Sequence, residues 1–243
     1  MKILKEIISM LDSDVPVKEV RIGPFWTAVW TRNCGLASTI FNHEHGSGPP
    51  VRQAGSLVGR SARELCEYAL SGSLLERSVG LAAINSLVEV DPAGCRKINA
   101  AEVLMEKGKG KKICVVGHFP FVPRLQEVAE KLWVLERRPR LGDLPAKEAE
   151  NIMPQADVLA ITGTALINET MDQLLSLCRK DALIMVLGPT TPLSPVWFDH
   201  GVDLVSGTQV TEPATVLRLV SEGIIFSEFR RRGVRLLTMA REG

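Results

Sequence analysis

Residues 112–121 read Lys112-Ile113-Cys114-Val115-Val116-Gly117-His118-Phe119-Pro120-Phe121. Ile113 to Gly117 is nearly all apolar, the pattern of a strand buried on both faces of a parallel sheet. A sharp turn at Gly117-His118 follows. Pro120 then opens a segment with helical spacing, where the missing proline N–H costs nothing because the first helical N–H groups are unpaired anyway. Strand, tight loop and helix start are the front end of a Rossmann-like unit.

Downstream of this stretch the chain alternates. Strands are expected at Ile113–Gly117, Leu132–Glu136, Val158–Thr162, Leu183–Gly188 and Val202–Ser206. Helices are expected at Phe121–Lys131, Ala146–Met153, Glu169–Cys178 and Pro213–Glu222. Unbroken apolar strands alternating with helices specify a mostly parallel sheet with helices on both faces, joined by right-handed crossovers. Val234, Leu236 and Thr238 in the Arg-rich tail read as an edge strand.

Upstream the pattern differs. Ile3, Leu4, Ile7, Ile8 and Leu11 form the apolar stripe of a helix. Val17–Ile22 and Phe25–Thr31 read as strands around a Gly23-Pro24 turn, and Cys34 to Thr39 as a third strand or its entry. Two helices follow, each opened by a capping box, Ser61 with Glu64 and Ser73 with Glu76. Asn99 with Glu102 starts a short third helix. Strands first and helices after describe a small α+β unit. Gly108-Lys109-Gly110-Lys111-Lys112 is flexible, charged and lacks apolar anchors, so it sets the boundary between domains 1–108 and 109–243.

Bulk properties restrict the function. The chain has 243 residues, 45% hydrophobic and 23% charged, with a net charge of +1. No global field draws nucleic acid or membrane. No run of about 18 apolar residues suggests a membrane span. The odd cysteine count, without C-x-x-C spacing, fits reduced thiols and a cytoplasmic setting. Homodimer formation is expected because such chains commonly pair symmetrically.

In an open parallel sheet, ligands bind beyond the carboxyl ends of the strands. Those ends carry Gly117, His118 and Phe119; Glu136; Thr162, Gly163 and Thr164; and Gly188, Pro189, Thr190 and Thr191. Small residues and hydroxyls gather there, a surface suited to an anion or a small polar ligand. Asp143, in a turn after the second strand, either reaches this pocket or caps the next helix. Thr164 or Asn168 should cap the helix after the third strand. Glu136 follows Gly117 by 19 positions, near the spacing of an acidic residue that takes a ribose hydroxyl. The full glycine fingerprint of a dinucleotide site is absent, and His118-Phe119-Pro120 would obstruct a pyrophosphate. His118 suits a metal ligand, a proton carrier or a hydrogen-bonding wall. His43 and His45 point to one side if extended, and with a third ligand they could hold one transition-metal ion. Nucleophile-elbow, P-loop, kinase and zincin patterns are absent, and no catalytic residue is assigned.

Longer motifs carry a resemblance. Gly35-Leu36-Ala37-Ser38-Thr39, the His-containing loop before Pro49-Pro50-Val51, the segment from Gly59 to Leu65 and that from Glu76 to Asn85 look like one family's first domain. Gly142-Asp143-Leu144-Pro145, Ala156-Asp157-Val158, Thr162 to Asn168 and Gly188 to Pro195 look like its second. The chain resembles a family described as heavy-metal chelation proteins. The resemblance implies an enolase N-terminal-like domain, then a Rossmann-like domain, with a pocket where they meet. It implies a metal or small-molecule ligand and brings Gly35, Ser38 and Thr39 to the pocket. It also matches the family's His-rich loop to His43 and His45. Two other readings stay open: an enzyme acting on a small anionic or nucleotide-like ligand, with His118 as acid or base, and a non-catalytic interaction module.

Overall fold

The computed structural model describes residues 1–11, 14–41, 50–90, 95–96, 99–229 and 231–241. His43 and His45 lie outside the described residues.

Helix α1 (Lys2–Ser9) buries Ile3, Leu4, Ile7 and Ile8, the stripe set by their spacing. Strands β1 (Glu19–Ile22), β2 (Trp26–Trp30) and β3 (Cys34–Ser38) form an antiparallel sheet in that order. Helices α2 (Ala62–Cys66) and α3 (Leu74–Leu87) begin at the two capping serines. Ser61 Oγ accepts from the Glu64 N–H at 3.1 Å and Ser73 Oγ from the Glu76 N–H at 3.4 Å. Each bond satisfies one N–H that the helix itself leaves free.

The second sheet has eight strands in the order β4-β11-β10-β9-β8-β5-β6-β7. In chain order they are β4 (Cys95–Arg96), β5 (Lys112–Val116), β6 (Lys131–Glu136), β7 (Leu144–Pro145), β8 (Val158–Thr162), β9 (Leu183–Leu187), β10 (Leu204–Val210) and β11 (Val234–Ala240). All pairings from β10 across to β7 are parallel, and β11 and β4 add antiparallel strands at one end. The fold is α/β, a small α+β unit joined to a Rossmann-like, mostly parallel sheet. Its helices are α4 (Ala100–Lys107), α5 (Val122–Val128), α6 (Ala149–Ile152), α7 (Thr164–Ile167), α8 (Met171–Ser176), α9 (Val196–Asp199), α10 (Pro213–Ser221) and α11 (Phe226–Phe229).

Two placements differ from the sequence pattern. Helix α4 packs on β8 and α5, with Leu104 buried among Ile113, Val115 and Val158 of the large sheet. The Gly108–Lys112 stretch is a tight helix-to-strand turn, in which the Gly110 N–H bonds the Val128 carbonyl at 2.9 Å. The segment expected as one helix at Glu169–Cys178 is preceded by a separate short helix, α7, and starts only at Met171.

The small sheet is sandwiched. One face meets α3, with Val29 and Ala37 in the main core. The other meets α10, with Ala28 and Leu36 packed against Val216, Val220 and Phe229. The main core runs without interruption from α1 and α3 to Trp197, Val202 and the large sheet. This double clamp holds the end of β3 against the carboxyl ends of β8 and β9.

Candidate functional site

The turn after β5 depends on Gly117, whose φ of +101° is open to glycine and strained for other residues. That turn brings the His118 N–H to Glu136 Oε1 at 2.9 Å, while Glu136 Oε2 accepts from the Arg137 N–H at 2.8 Å. Both carboxylate oxygens are thus used to tie the β5 and β6 loops together. This is a loop-closing role.

His118 Nδ1 lies 3.1 Å from both oxygens of Asp143. The Asp143 side chain is 3% exposed and that of His118 24%. Asp143 also accepts from the Arg140 N–H at 3.0 Å. Of the two roles open to Asp143, the structure shows contact with the strand-end histidine. Within the described residues Nε2 of His118 has no hydrogen-bond partner. A buried carboxylate fixing one ring nitrogen and leaving the other outward is how proteins orient an imidazole for a metal or a proton. Phe119 turns the other way, stacking on Phe121 with centroids 5.0 Å apart and packing against the core under α4 and α5.

The second part of the site joins the two units. The Ser38 N–H, at the end of β3, bonds Thr190 Oγ1 at 3.0 Å, and Thr190 Oγ1 is 3.1 Å from Ser38 Oγ. Ser38 Oγ lies 3.5 Å from Thr164 Oγ1, which lies 3.2 Å from Thr162 Oγ1. From α3, Asn85 Nδ2 donates to the Leu36 carbonyl at 2.7 Å and the Pro189 carbonyl at 3.3 Å. Gly163 is required by closeness: a Cβ there would stand 2.3 Å from Thr191 Oγ1. Thr191 is 2% exposed and its hydroxyl has no hydrogen-bond partner among the described residues. Gly188, with φ of +117°, turns the chain from β9 into this loop.

The remaining sequence candidates separate. Thr39 Oγ1 pairs with Thr27 Oγ1 at 2.9 Å inside the first unit. Gly35 lets α3 approach β3, since a Cβ would lie 2.1 Å from the Ala82 carbonyl oxygen. Asn168 caps no helix with its side chain; its Oδ1 accepts from Arg137 Nη1. Among the described residues no three His, Cys, Asp or Glu side chains gather as a metal-ligand set. The thiols do not help: burial pushes Cys34, Cys66 and Cys114 up to about 12, which keeps them protonated.

Sequence reasoning overlooked Asn85, Arg77 and Arg137. Arg77 is 6% exposed on α3 and donates to the Ile167 carbonyl at 2.9 Å, across to the second unit. An arginine inside a mostly apolar helical stretch was the available signal.

Residues 99–239 match the DUF364 family and residues 4–88 the DUF4213 family, both described as "Putative heavy-metal chelation". The chain belongs to the DUF364 family. A DUF364 protein of unknown function from Desulfitobacterium hafniense superposes with a TM-score of 0.84 at 29% identity, covering 99% of this chain and 97% of that one. A second, from Pyrococcus horikoshii, gives 0.82 at 22% identity, covering 99% and 98%, and shows the shared fold. An uncharacterised protein of Methanocaldococcus jannaschii is 27% identical over 202 residues, 79% of this chain and 77% of that protein. The break between the two DUF matches falls at residues 89–98, just ahead of α4. As a DUF364 member the chain shares its two-part architecture with both solved relatives.

Proposed function

We propose that this DUF364 protein binds a metal ion already held by a small organic chelator, in the groove where the end of β3 meets the ends of β5, β8 and β9. The carrying observation is the His118–Asp143 pair, in which the carboxylate fixes Nδ1 and Nε2 has no hydrogen-bond partner among the described residues. The family description supports metal as the cargo. The hydroxyls of Ser38, Thr164 and Thr190 suit the chelator's polar groups. His43 and His45 are proposed as further donors from the first unit.

Titration of untagged protein with nickel(II) nitrilotriacetate, followed by calorimetry, tests this. One equivalent should bind wild type, and His118→Ala should weaken it about tenfold or more. A His43→Ala/His45→Ala double variant measures the share of that loop. Equal affinity of wild type and His118→Ala rejects the proposal.

A further inference from the structure

Three arginines follow β6 in close succession, Arg137, Arg138 and Arg140, and all are exposed. In the sheet β5 lies between β6 and β8. Arg137 leaves the end of β6 and its Nη1 reaches Asn168 Oδ1, in the turn after β8 and α7. The guanidinium thus bridges from one flank of β5 to the other, beside the Gly117-His118 turn. Its partner is a neutral amide, so its charge is not cancelled there.

The nearby acids are already committed. Glu136 accepts two backbone N–H groups, and Asp143 is held by His118 and the Arg140 N–H. Within the described residues none of the three arginines forms an ion pair. The loop is also fixed in place, since the Asp143 N–H bonds the Arg140 carbonyl at 3.0 Å and Gly142 makes the turn with φ of +93°. A positioned guanidinium that no described carboxylate pairs is a recognition group for carboxylate or phosphate, which its planar fork can engage at two points.

We infer that Arg137 is the anion-recognising residue of this site, and that the ligand carries carboxylate or phosphate groups which Arg137 engages from the loop after β6. This rests on the proposed ligand groove and names the chemical class of what enters it. Arg138 and Arg140 add attraction at longer range without the bridging geometry.

Calorimetric titration with metal-free citrate and metal-free pyrophosphate at low salt tests the inference on the full chain. At least one should bind wild type. Binding by citrate alone identifies a carboxylate ligand, and by pyrophosphate alone a phosphate ligand. Arg137→Gln should weaken the bound anion about ten- to a hundredfold, the usual scale of a lost charge-assisted contact. Arg137→Lys should recover part of the loss, and Arg138→Gln should change affinity by less than about threefold, as expected for a charge acting at a distance. The inference is overturned if neither anion binds wild type, if Arg137→Gln binds as tightly as wild type, or if Arg138→Gln loses as much as Arg137→Gln. Both probes are free of metal, so a failure here leaves the nickel chelate titration of His118→Ala to be judged separately.

Discussion

Asp143 holds His118 with both carboxylate oxygens 3.1 Å from the imidazole Nδ1, and the aspartate side chain is nearly buried. The same carboxylate accepts the Arg140 N–H, so it fixes both the ring and the loop beside it. Asp143→Ala should therefore lower nickel chelate affinity about ten- to a hundredfold, the usual effect of losing a carboxylate behind a ligating histidine. It should also cost about 1–3 kcal/mol in urea unfolding, because donors lose a buried acceptor. Asp143→Asn keeps one acceptor oxygen and should fall between. Wild-type chelate affinity in Asp143→Ala would show that the pair has no part in binding.

The large sheet was legible because its strands are unbroken apolar runs and its crossovers leave little topological freedom. The carboxyl-end residues followed from that alone, since a parallel sheet gathers its strand ends on one edge. Helix α4 was visible as a helix, but its neighbours were not: an apolar stripe says that a face is buried without saying against what. Glu136 had the spacing of a ribose ligand. The folded turn also gives it two backbone N–H groups to accept, which no spacing announces. Arg77 to Ile167, Asn85 to Pro189 and Arg137 to Asn168 join residues 90, 104 and 31 positions apart. Such bridges have no periodicity, and only Arg77, a charge in a mostly apolar helical stretch, leaves a local signal.

Burial raises the thiols of Cys34, Cys66 and Cys114 from 9.0 to about 12. In the unfolded chain the same thiols ionise at their ordinary value of 9.0. Below that pH both states keep the proton and the contribution to stability is complete. As pH rises toward 12 the unfolded chain releases protons that the folded chain retains, so stability falls, by at most about 1.4 kcal/mol per pH unit for each thiol. The urea midpoint should therefore drop between pH 9 and pH 10.5. Replacing all three with alanine should flatten that slope while lowering the midpoint overall. An unchanged slope in the triple variant would assign the alkaline loss to other groups.

Gly163 and Thr191 press against each other where the β8 and β9 loops meet. A Cβ at position 163 would lie 2.3 Å from Thr191 Oγ1 and 2.8 Å from the Thr191 nitrogen. The second contact is backbone and cannot swing away, so Gly163→Ala should cost about 1–3 kcal/mol by overpacking. Thr191→Val should do the opposite. It keeps the shape and removes a buried hydroxyl that has no partner among the described residues, and should be neutral or stabilising by about 1 kcal/mol. Urea midpoints measure both. A large loss in Thr191→Val would reveal a hydrogen bond at that hydroxyl.

Arg77 and Glu169 pair at 2.6 Å across the junction of the two units, but the ion pair is the lesser part of the contact. Glu169 is 46% exposed on its side chain, and such pairs contribute about 0–1 kcal/mol. Its backbone sits at φ of +59°, which disfavours a side chain by about 1 kcal/mol. The two effects offset, so Glu169→Gly should leave the urea midpoint nearly unchanged. Arg77, in contrast, donates to the carbonyls of Ser71 and Ile167 from a buried position. Arg77→Met strands both, at a cost of about 2–4 kcal/mol, the sum expected for buried acceptors left unpaired. Lysine lacks the planar fork that reaches two carbonyls, so Arg77→Lys should recover little. If Glu169→Gly proves as damaging as Arg77→Met, the charge pair, and not the carbonyl contacts, holds the two units together.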